Sequence, residues 1–231
     1  MENRTIEAYR QATVTGADYV ELDVRRTADG QLVAFHDPHA GQGSPLSAVG
    51  YSQLCDLAGH EVPKVADVLT AINGRARAHL DLKETGSEHR LAGLALDILG
   101  PGEFIITSPE DASVAAIRFR FPDVEQVPVA LSLGGGMSRA SASAWARALA
   151  SELRPLPRLR ACGADWVAVN HWLALAGVAR QCRRHQVKVM AWTVNNDAEI
   201  RYWLSRQRAD ILVTDRPALA VAMTREYSRP T

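Results

Sequence analysis

Helix-like and strand-like segments alternate along the whole chain, and this alternation restricts the possible folds more than any other feature of the sequence. Apolar residues recur at helical spacing in stretches such as 87–99, whereas 103–108 is a short apolar run with strand character. Strands that alternate with helices form a parallel sheet covered by helices. No linker interrupts the alternation, so we expect a single domain over residues 1–231.

Seven segments are predicted to form the main strands of this sheet: 18–24, 76–83, 103–108, 124–133, 165–171, 187–195 and 209–215. The segment 31–37 follows an Asp29-Gly30 turn signal and is predicted to fold back beside the first of them. A (β/α)8 barrel has eight parallel strands, but this chain opens on a helix predicted over 5–16. The fold class is therefore α/β: either a (β/α)8 TIM barrel with a missing or incomplete first strand, or an open doubly wound sheet.

The charge balance and the cysteines limit the expected partners and compartment. Twenty-six basic residues balance 26 acidic ones, so no overall field attracts nucleic acid, and we expect no nucleic-acid partner. Three widely spaced cysteines indicate neither a disulfide framework nor a zinc site, which favours a reducing, cytoplasmic location. No apolar run approaches the roughly 20 residues of a membrane helix, so we expect no stable membrane insertion.

Carboxylates collect at the predicted ends of two strands. In the stretch "YVELDVRRTADGQLVAFHD" (19–37), strand alternation places Glu21 and Asp23 on one face, and Asp81 ends a later strand. Carboxylates held this close are costly unless a positive charge lies between them. The sequence therefore predicts that Glu21, Asp23 and Asp81 bind a divalent cation, Mg²⁺ or Ca²⁺. Taken alone, a Glu-x-Asp pair is also typical of a solvent-facing strand.

A histidine and a lysine extend this candidate site. His36 ends the return strand, which the preceding turn brings back toward the carboxylates, and histidine can transfer protons at neutral pH. Lys83 shares a face with Asp81 and can neutralise an anionic oxygen. A cation, a lysine and a proton-transferring histidine together suggest that the substrate is a phosphate ester.

Several other polar or aromatic residues have a plainer interpretation. Trp192 near a strand end fits core packing as well as a binding site. Five further histidines are interpreted as incidental residues of loops and helices: His39, His60, His79, His89 and His185.

The stretch 5–37 resembles the N-terminal signature of glycerophosphodiester phosphodiesterases, in which an "ENT" segment and a helix lead into "GAD-x-x-E-x-D-V-x-x-T-x-DG-x-x-V-x-x-HD". The positions that match are Gly16-Ala17-Asp18, Glu21, Asp23-Val24, Thr27, Asp29-Gly30, Val33 and His36-Asp37, with Glu2, Asn3 and Thr5 approximating "ENT". Later segments, "EVPKVADVL", "HLDLK", "KVMAWTVN" and "ADILVTDRPALA", are also similar to family motifs. The resemblance spans nearly the whole chain.

The resemblance implies a (β/α)8 barrel that uses a divalent metal to hydrolyse glycerophosphodiesters to sn-glycerol 3-phosphate and an alcohol. By motif, Glu21 and Asp23 would be metal ligands and His36 one of two catalytic histidines. Lys83 matches a lysine near the phosphate, with a catalytic and substrate-binding role, and Trp192 matches a tryptophan that lines the pocket. The implied partner is a small-molecule glycerophosphodiester.

Two departures from the family pattern stand out. Asp81 replaces a ligand glutamate and is one methylene shorter, although related phospholipase-D-like toxins can carry aspartate there. The family's first strand, which ends in His-Arg-Gly, has no counterpart here, and we expect it to lie upstream of Met1 rather than to be lost. Three alternatives stay open: a catalytically impaired binding protein, a phospholipase-D-like phosphodiesterase acting on lysophospholipids, and an unrelated doubly wound protein.

Overall fold

A computed structural model of the chain describes residues 5–41, 43–135, 142–205 and 208–227. In these ranges the strands, numbered β1 to β10 in chain order, are Tyr19–Arg26, Leu32–Ala34, His39–Ala40, Ser44–Pro45, Arg77–Leu82, Phe104–Ser108, Val129–Leu133, Trp166–Asn170, Lys188–Trp192 and Ile211–Leu212. The "ENT"-like residues Glu2 and Asn3 lie outside the described residues.

The helices, numbered α1 to α11 over the same ranges, are Ile6–Thr13, Tyr51–Ala58, Val65–Ile72, Glu88–Leu99, Asp111–Arg120, Ala142–Glu152, Leu156–Cys162, His171–Leu173, Ala179–Arg184, Asp197–Leu204 and Pro217–Tyr227. A 3₁₀ turn covers Leu46–Ala48, and a π-helical segment covers Ala174–Val178. Among the described residues, no helix combines the length and apolar character needed to cross a lipid bilayer.

The main sheet has eight strands in the order β10-β9-β8-β7-β6-β5-β1-β2. Each neighbouring pair from β1 to β10 is parallel, and β2 alone runs antiparallel, beside β1. This confirms the prediction of seven main strands plus a return strand after the Asp29-Gly30 turn. The sheet is curled and covered by helices, as in an α/β barrel.

The two ends of the parallel series do not pair with each other within the described residues. A cavity of about 1130 Å³ is lined by residues of both ends, including Tyr19 and Glu21 of β1 and Ile211 of β10. Toward the carboxyl end of β1, from Val24 to Arg26, the edge of β1 that does not pair with β5 pairs with β2. The curled sheet is thus open between β1 and β10.

The sheet separates two apolar layers, because successive side chains of a strand point to opposite faces. The layer between sheet and helices contains fully buried residues such as Leu22, Leu80 and Val167. A smaller cluster fills the concave face and consists of Ile105, Ala130, Trp166, Ala168 and Met190. Residues that share the concave face but lie nearer the carboxyl ends of the strands are polar, and they form the candidate site.

Several elements differ from the sequence-based expectations, among them α11, which was not expected. The helix α7 covers part of a segment read as a connector; its proline, Pro157, is tolerated because a helix's first turn needs no donor there. The helix α2 was not expected; its first residue, Tyr51, donates its backbone N–H to the Asp29 carboxylate at 3.1 Å. The segment 38–50, read as a loop, contains the short β3–β4 pair. Part of the helix predicted over 138–154 lies outside the described residues.

Candidate active site

The three predicted carboxylates come together at one end of the sheet. Glu21 and Asp23 extend from β1, and Asp81 extends from β5. Parallel pairing places Asp23 directly beside Asp81, and one carboxylate oxygen from each of the three residues lies within 4.8 Å of the others. The strand alternation that predicted a shared face for Glu21 and Asp23, together with the pairing of β1 with β5, therefore explains this grouping.

Lys83 bridges two of these carboxylates. Its Nζ lies 2.7 Å from Asp23 Oδ1 and also donates to Asp81 Oδ2. Burial lowers the pKa of Lys83, but the Asp81 and Asp23 carboxylates outweigh this effect and raise it. The lysine is therefore positively charged at neutral pH and offsets part of the negative charge in the site.

The donor set fits a hard divalent cation. Three carboxyl groups lie around a single lysine, so the Lys83 ammonium can balance only part of the negative charge that they carry when ionised. Oxygen ligands clustered within a few ångströms are those that Mg²⁺ and Ca²⁺ prefer. The acidic triad can therefore hold a metal ion, and its chemistry matches the cation that the sequence predicts.

Two further residues of this region were not assigned a role from the sequence. Thr107 of β6 lies beside Asp81 in the strand register, and its hydroxyl donates to Asp81 Oδ1 at 2.8 Å. His79, interpreted as an incidental loop or helix residue, is in fact a buried residue of β5, with its Nε2 at 3.0 Å from Thr107 Oγ1. Burial lowers the pKa of His79 to about 4, so its imidazole is neutral at neutral pH.

His36 lies beside the carboxylate strand but differs from the triad in its exposure. The preceding residue, Phe35, donates its backbone N–H to the carbonyl of Asp23 at 2.9 Å, and Arg25 Nε donates to the carbonyl of His36 at 3.0 Å. The His36 ring is 68% exposed, and its Nδ1 lies 2.9 Å from Asp37 Oδ1. Its backbone is thus fixed next to β1 while its ring faces solvent, with a carboxylate partner that suits proton transfer.

Trp192 is the last residue of β9 and lies opposite Asn170 in the register with β8. Its ring packs against the apolar cluster of the concave face, so core packing is part of its role. The loop after β7 passes close by: a Cβ at Gly134, whose φ is 102°, would lie 2.5 Å from Asn170 Cβ. Only glycine fits there, which lets this loop pack over the end of β8.

Other polar residues at the strand ends bind one another. Asn195 donates to Asp215 Oδ2 at 2.7 Å and accepts from the Asp215 backbone N–H at 2.9 Å. The Thr214 hydroxyl donates to the same side-chain oxygen of Asn195 at 3.2 Å. These contacts join the segments that follow β9 and β10 and account for the polar character of both strand ends.

The sheet is curled and parallel, and carboxylates and a lysine cluster at the carboxyl ends of its strands. This arrangement is typical of α/β-barrel enzymes. The sequence profile of the Glycerophosphoryl diester phosphodiesterase family matches residues 1–219. The chain is 26% identical over 238 residues to a glycerophosphodiester phosphodiesterase of Arabidopsis thaliana, a match that covers 93% of this chain and 67% of that protein. The chain belongs to the glycerophosphoryl diester phosphodiesterase family.

Solved structures share the fold. A glycerophosphodiester phosphodiesterase from Parabacteroides distasonis superposes with a TM-score of 0.76 at 17% identity, covering 99% of this chain and 94% of that one. An Oleispira antarctica phosphodiesterase, solved in complex with the product sn-glycerol-3-phosphate, gives a TM-score of 0.68 at 16% identity, covering 95% and 90%. The family assignment and the barrel fold expected from the sequence are confirmed, and the protein is by class a phosphoric diester hydrolase.

The position of Lys83 between two carboxylates leads to a prediction about stability. Lys83→Met should lower the free energy of unfolding by about 2 kcal/mol at pH 7 in the presence of chelator, because it leaves Asp23 and Asp81 without their cation. Urea unfolding measures the change. Lys188→Met is the matched control, since Lys188 is exposed and lies over the Trp166 ring; equal losses in both variants would contradict the prediction.

Proposed function

We propose that the protein hydrolyses glycerophosphodiesters to sn-glycerol 3-phosphate and an alcohol in a reaction that depends on a divalent cation. The observation that carries the proposal is the cluster of Glu21, Asp23, Asp81 and Lys83, which offers cation ligands and a fixed positive charge within one site. The similarity to the Oleispira antarctica phosphodiesterase, described with sn-glycerol-3-phosphate, supports the choice of product.

Glu21, Asp23 and Asp81 are the proposed ligands of the cation, which we take to be Mg²⁺ or Ca²⁺. When bound, such an ion polarises a phosphoryl oxygen and stabilises the charge that develops on it. The role of the protein here is to hold three carboxylates in place before the substrate arrives. Asp23 is the most buried of the three, since its side chain is only 5% exposed, and it accepts a hydrogen bond from Lys83.

Lys83 is proposed to act on the substrate phosphate. Its ammonium is charged at neutral pH and lies at the carboxylate cluster, so an oxygen anion bound there gains an immediate partner. Because the lysine is fixed by two carboxylates, it needs little reorganisation during the reaction. Trp192, at the end of β9, is proposed to line the pocket wall with its ring.

His36 is proposed to transfer a proton during hydrolysis. Its imidazole Nδ1 lies within hydrogen-bond distance of the Asp37 carboxylate, and its backbone carbonyl accepts a hydrogen bond from Arg25 of β1, the strand of Glu21 and Asp23. A histidine in this position can take a proton from the attacking group or give one to the leaving alcohol. The protein is further proposed to work in a reducing, cytoplasmic compartment, because Cys55, Cys162 and Cys182 are all unpaired.

Removal of the cation tests the proposal directly. Hydrolysis of glycerophosphoethanolamine, followed through the sn-glycerol 3-phosphate released, should disappear in chelator and return when excess Mg²⁺ or Ca²⁺ is added. Asp81→Asn, which keeps the shape of the side chain but removes its charge, should lower kcat/KM at least tenfold. Full activity in chelator would refute cation dependence, and cation-dependent binding of sn-glycerol 3-phosphate without any turnover would identify a binding protein instead.

Substitution of His36 tests proton transfer. His36→Ala should lower kcat for glycerophosphoethanolamine roughly a hundredfold, the usual contribution of a general acid or base. The control is His39→Ala, since His39 is also exposed and lies three residues further along. Near-normal turnover by the His36 variant would remove this residue from the mechanism.

A lysophospholipid substrate is the second candidate, and one observation favours it. Trp172 is 64% exposed and Leu175 is 43% exposed, and both follow directly after β8, at the end of the sheet where the carboxylates lie. Exposed aromatic and aliphatic side chains at the mouth of a site can hold an acyl chain. This surface therefore favours substrates that carry an acyl chain on the glycerol, as lysophospholipids do.

Substitution of Trp172 separates the two substrates. Trp172→Ala should raise KM for lysophosphatidylcholine at least threefold and leave kcat/KM for glycerophosphoethanolamine unchanged, because only the former presents an acyl chain to this surface. Trp145→Ala, which alters an exposed tryptophan of α6, serves as the control. No turnover of lysophosphatidylcholine by the unmodified protein would exclude the second candidate.

A further inference from the structure

His79 and Thr107 form a hydrogen-bonded chain that ends on Asp81. His79 and Asp81 lie two residues apart on the concave face of β5, and Thr107 lies beside Asp81 on β6. The distance from His79 Nε2 to Thr107 Oγ1 is 3.0 Å, and that from Thr107 Oγ1 to Asp81 Oδ1 is 2.8 Å. Both His79 and Thr107 are buried, with 6% and 1% exposure. The chain therefore lies beneath the carboxylate cluster, shielded from solvent.

The number of protons sets the direction of this chain. The Thr107 hydroxyl has one proton, and an ionised carboxylate has none, so the hydroxyl must donate to Asp81. The Thr107 oxygen then serves as an acceptor toward His79, which must carry its proton on Nε2. Each group in the sequence from imidazole to hydroxyl to carboxylate thus donates to the next.

We propose that His79 and Thr107 are positioning residues that orient the Asp81 carboxylate for binding a divalent cation. The inference rests on the proposed function, in which Asp81 is a cation ligand. Thr107 contacts one carboxylate oxygen and Lys83 the other, so the carboxylate has a fixed partner on each side. His79 in turn holds the hydroxyl of Thr107 in the rotamer that donates to Asp81.

This arrangement has a clear physical use. Groups that hold a ligand through a hydrogen bond fix its orientation before the metal binds, and their loss typically weakens metal affinity tenfold to a hundredfold. An aspartate reaches less far than a glutamate, so its oxygens have less freedom to compensate for an incorrect orientation. With a buried donor chain beneath Asp81, no such compensation is required, since the carboxylate is held in one orientation before the cation arrives.

The test measures cation affinity, which does not require turnover. Calorimetric titration of the purified protein with CaCl₂ and with MgCl₂ gives the dissociation constants. Thr107→Val and His79→Leu should each weaken binding about tenfold or more. The conservative variants Thr107→Ser, which keeps the hydroxyl, and His79→Gln, whose amide N–H can replace Nε2–H, should stay within about threefold of the unmodified protein.

A double variant tests whether His79 acts through Thr107. His79→Leu should have little further effect in the Thr107→Val background, because the hydroxyl that His79 holds is already gone. In addition, ¹⁵N NMR of the imidazole in the cation-free protein should show the Nε2-protonated tautomer of His79. Thermal unfolding of every variant shows that the affinities refer to folded protein, and if His79→Leu does not fold, Thr107→Val and the tautomer decide the matter.

The outcomes separate this inference from the proposed function. If Asp81→Asn abolishes cation binding while Thr107→Val and His79→Leu bind as tightly as the unmodified protein, the positioning role is wrong and the cation site stands. A His79 tautomer protonated on Nδ1, or fully additive losses in the double variant, would also overturn the inference. If the unmodified protein binds neither cation, the proposed cation site and the positioning role both fall.

Discussion

The ion pairs between Lys83 and two carboxylates are the interaction on which the candidate site depends. Parallel pairing of β1 with β5 places Asp23 beside Asp81, and two carboxylates at such a separation repel each other unless a cation lies between them. Lys83, two residues beyond Asp81 on the same face, supplies that charge with its Nζ 2.7 Å from Asp23 Oδ1. The register of β1 with β5 thus places two carboxylates side by side, and the alternation along β5 places Lys83 where its charge reduces their repulsion.

The same strands build the core and the site, and alternation keeps the two apart. Leu22 and Leu80 point toward the helices and are fully buried, whereas Glu21 and Asp81, their chain neighbours, point to the concave face. A shift of one residue in the β1–β5 register would bury carboxylates among leucines, which is strongly unfavourable. The apolar layer therefore fixes the register, and the register fixes the geometry of the charged groups.

The sequence predicted those parts of the structure that follow from the two-residue alternation of side chains along a strand and from the parallel arrangement of the strands. Glu21, Asp23, Asp81 and Lys83 lie together because alternation assigns faces and the carboxyl ends of parallel strands share one edge. The helix α7 was missed, because Pro157 looks like a breaker unless its place in the first turn is known. The start of α2 depends on a contact with a distant carboxylate, which local sequence does not reveal.

His79 shows where a usable signal was overlooked. It lies inside a segment that alternation already marked as a strand, on the same face as Asp81 and Lys83, so its place near the site followed from the same period of two. Its partner could not be predicted, because the contact with Thr107 depends on the register of β5 with β6. Alternation identifies which face a residue occupies, and only tertiary pairing shows what it meets there.

The site divides into a buried part and an exposed part with different physical demands. Asp23, Lys83 and Thr107 are largely shielded: Lys83 pairs with Asp23, and both Lys83 and Thr107 donate to Asp81. Such fixed polar groups would suit the binding of a cation and a phosphate that we propose. His36 is held through its backbone and by Asp37 and keeps an exposed ring, which would suit the proton transfer that we propose for it. Since burial of a histidine favours its neutral form, as His79 shows, the exposed position would suit the proton transfer proposed for His36, and the buried position would suit the positioning role proposed for His79.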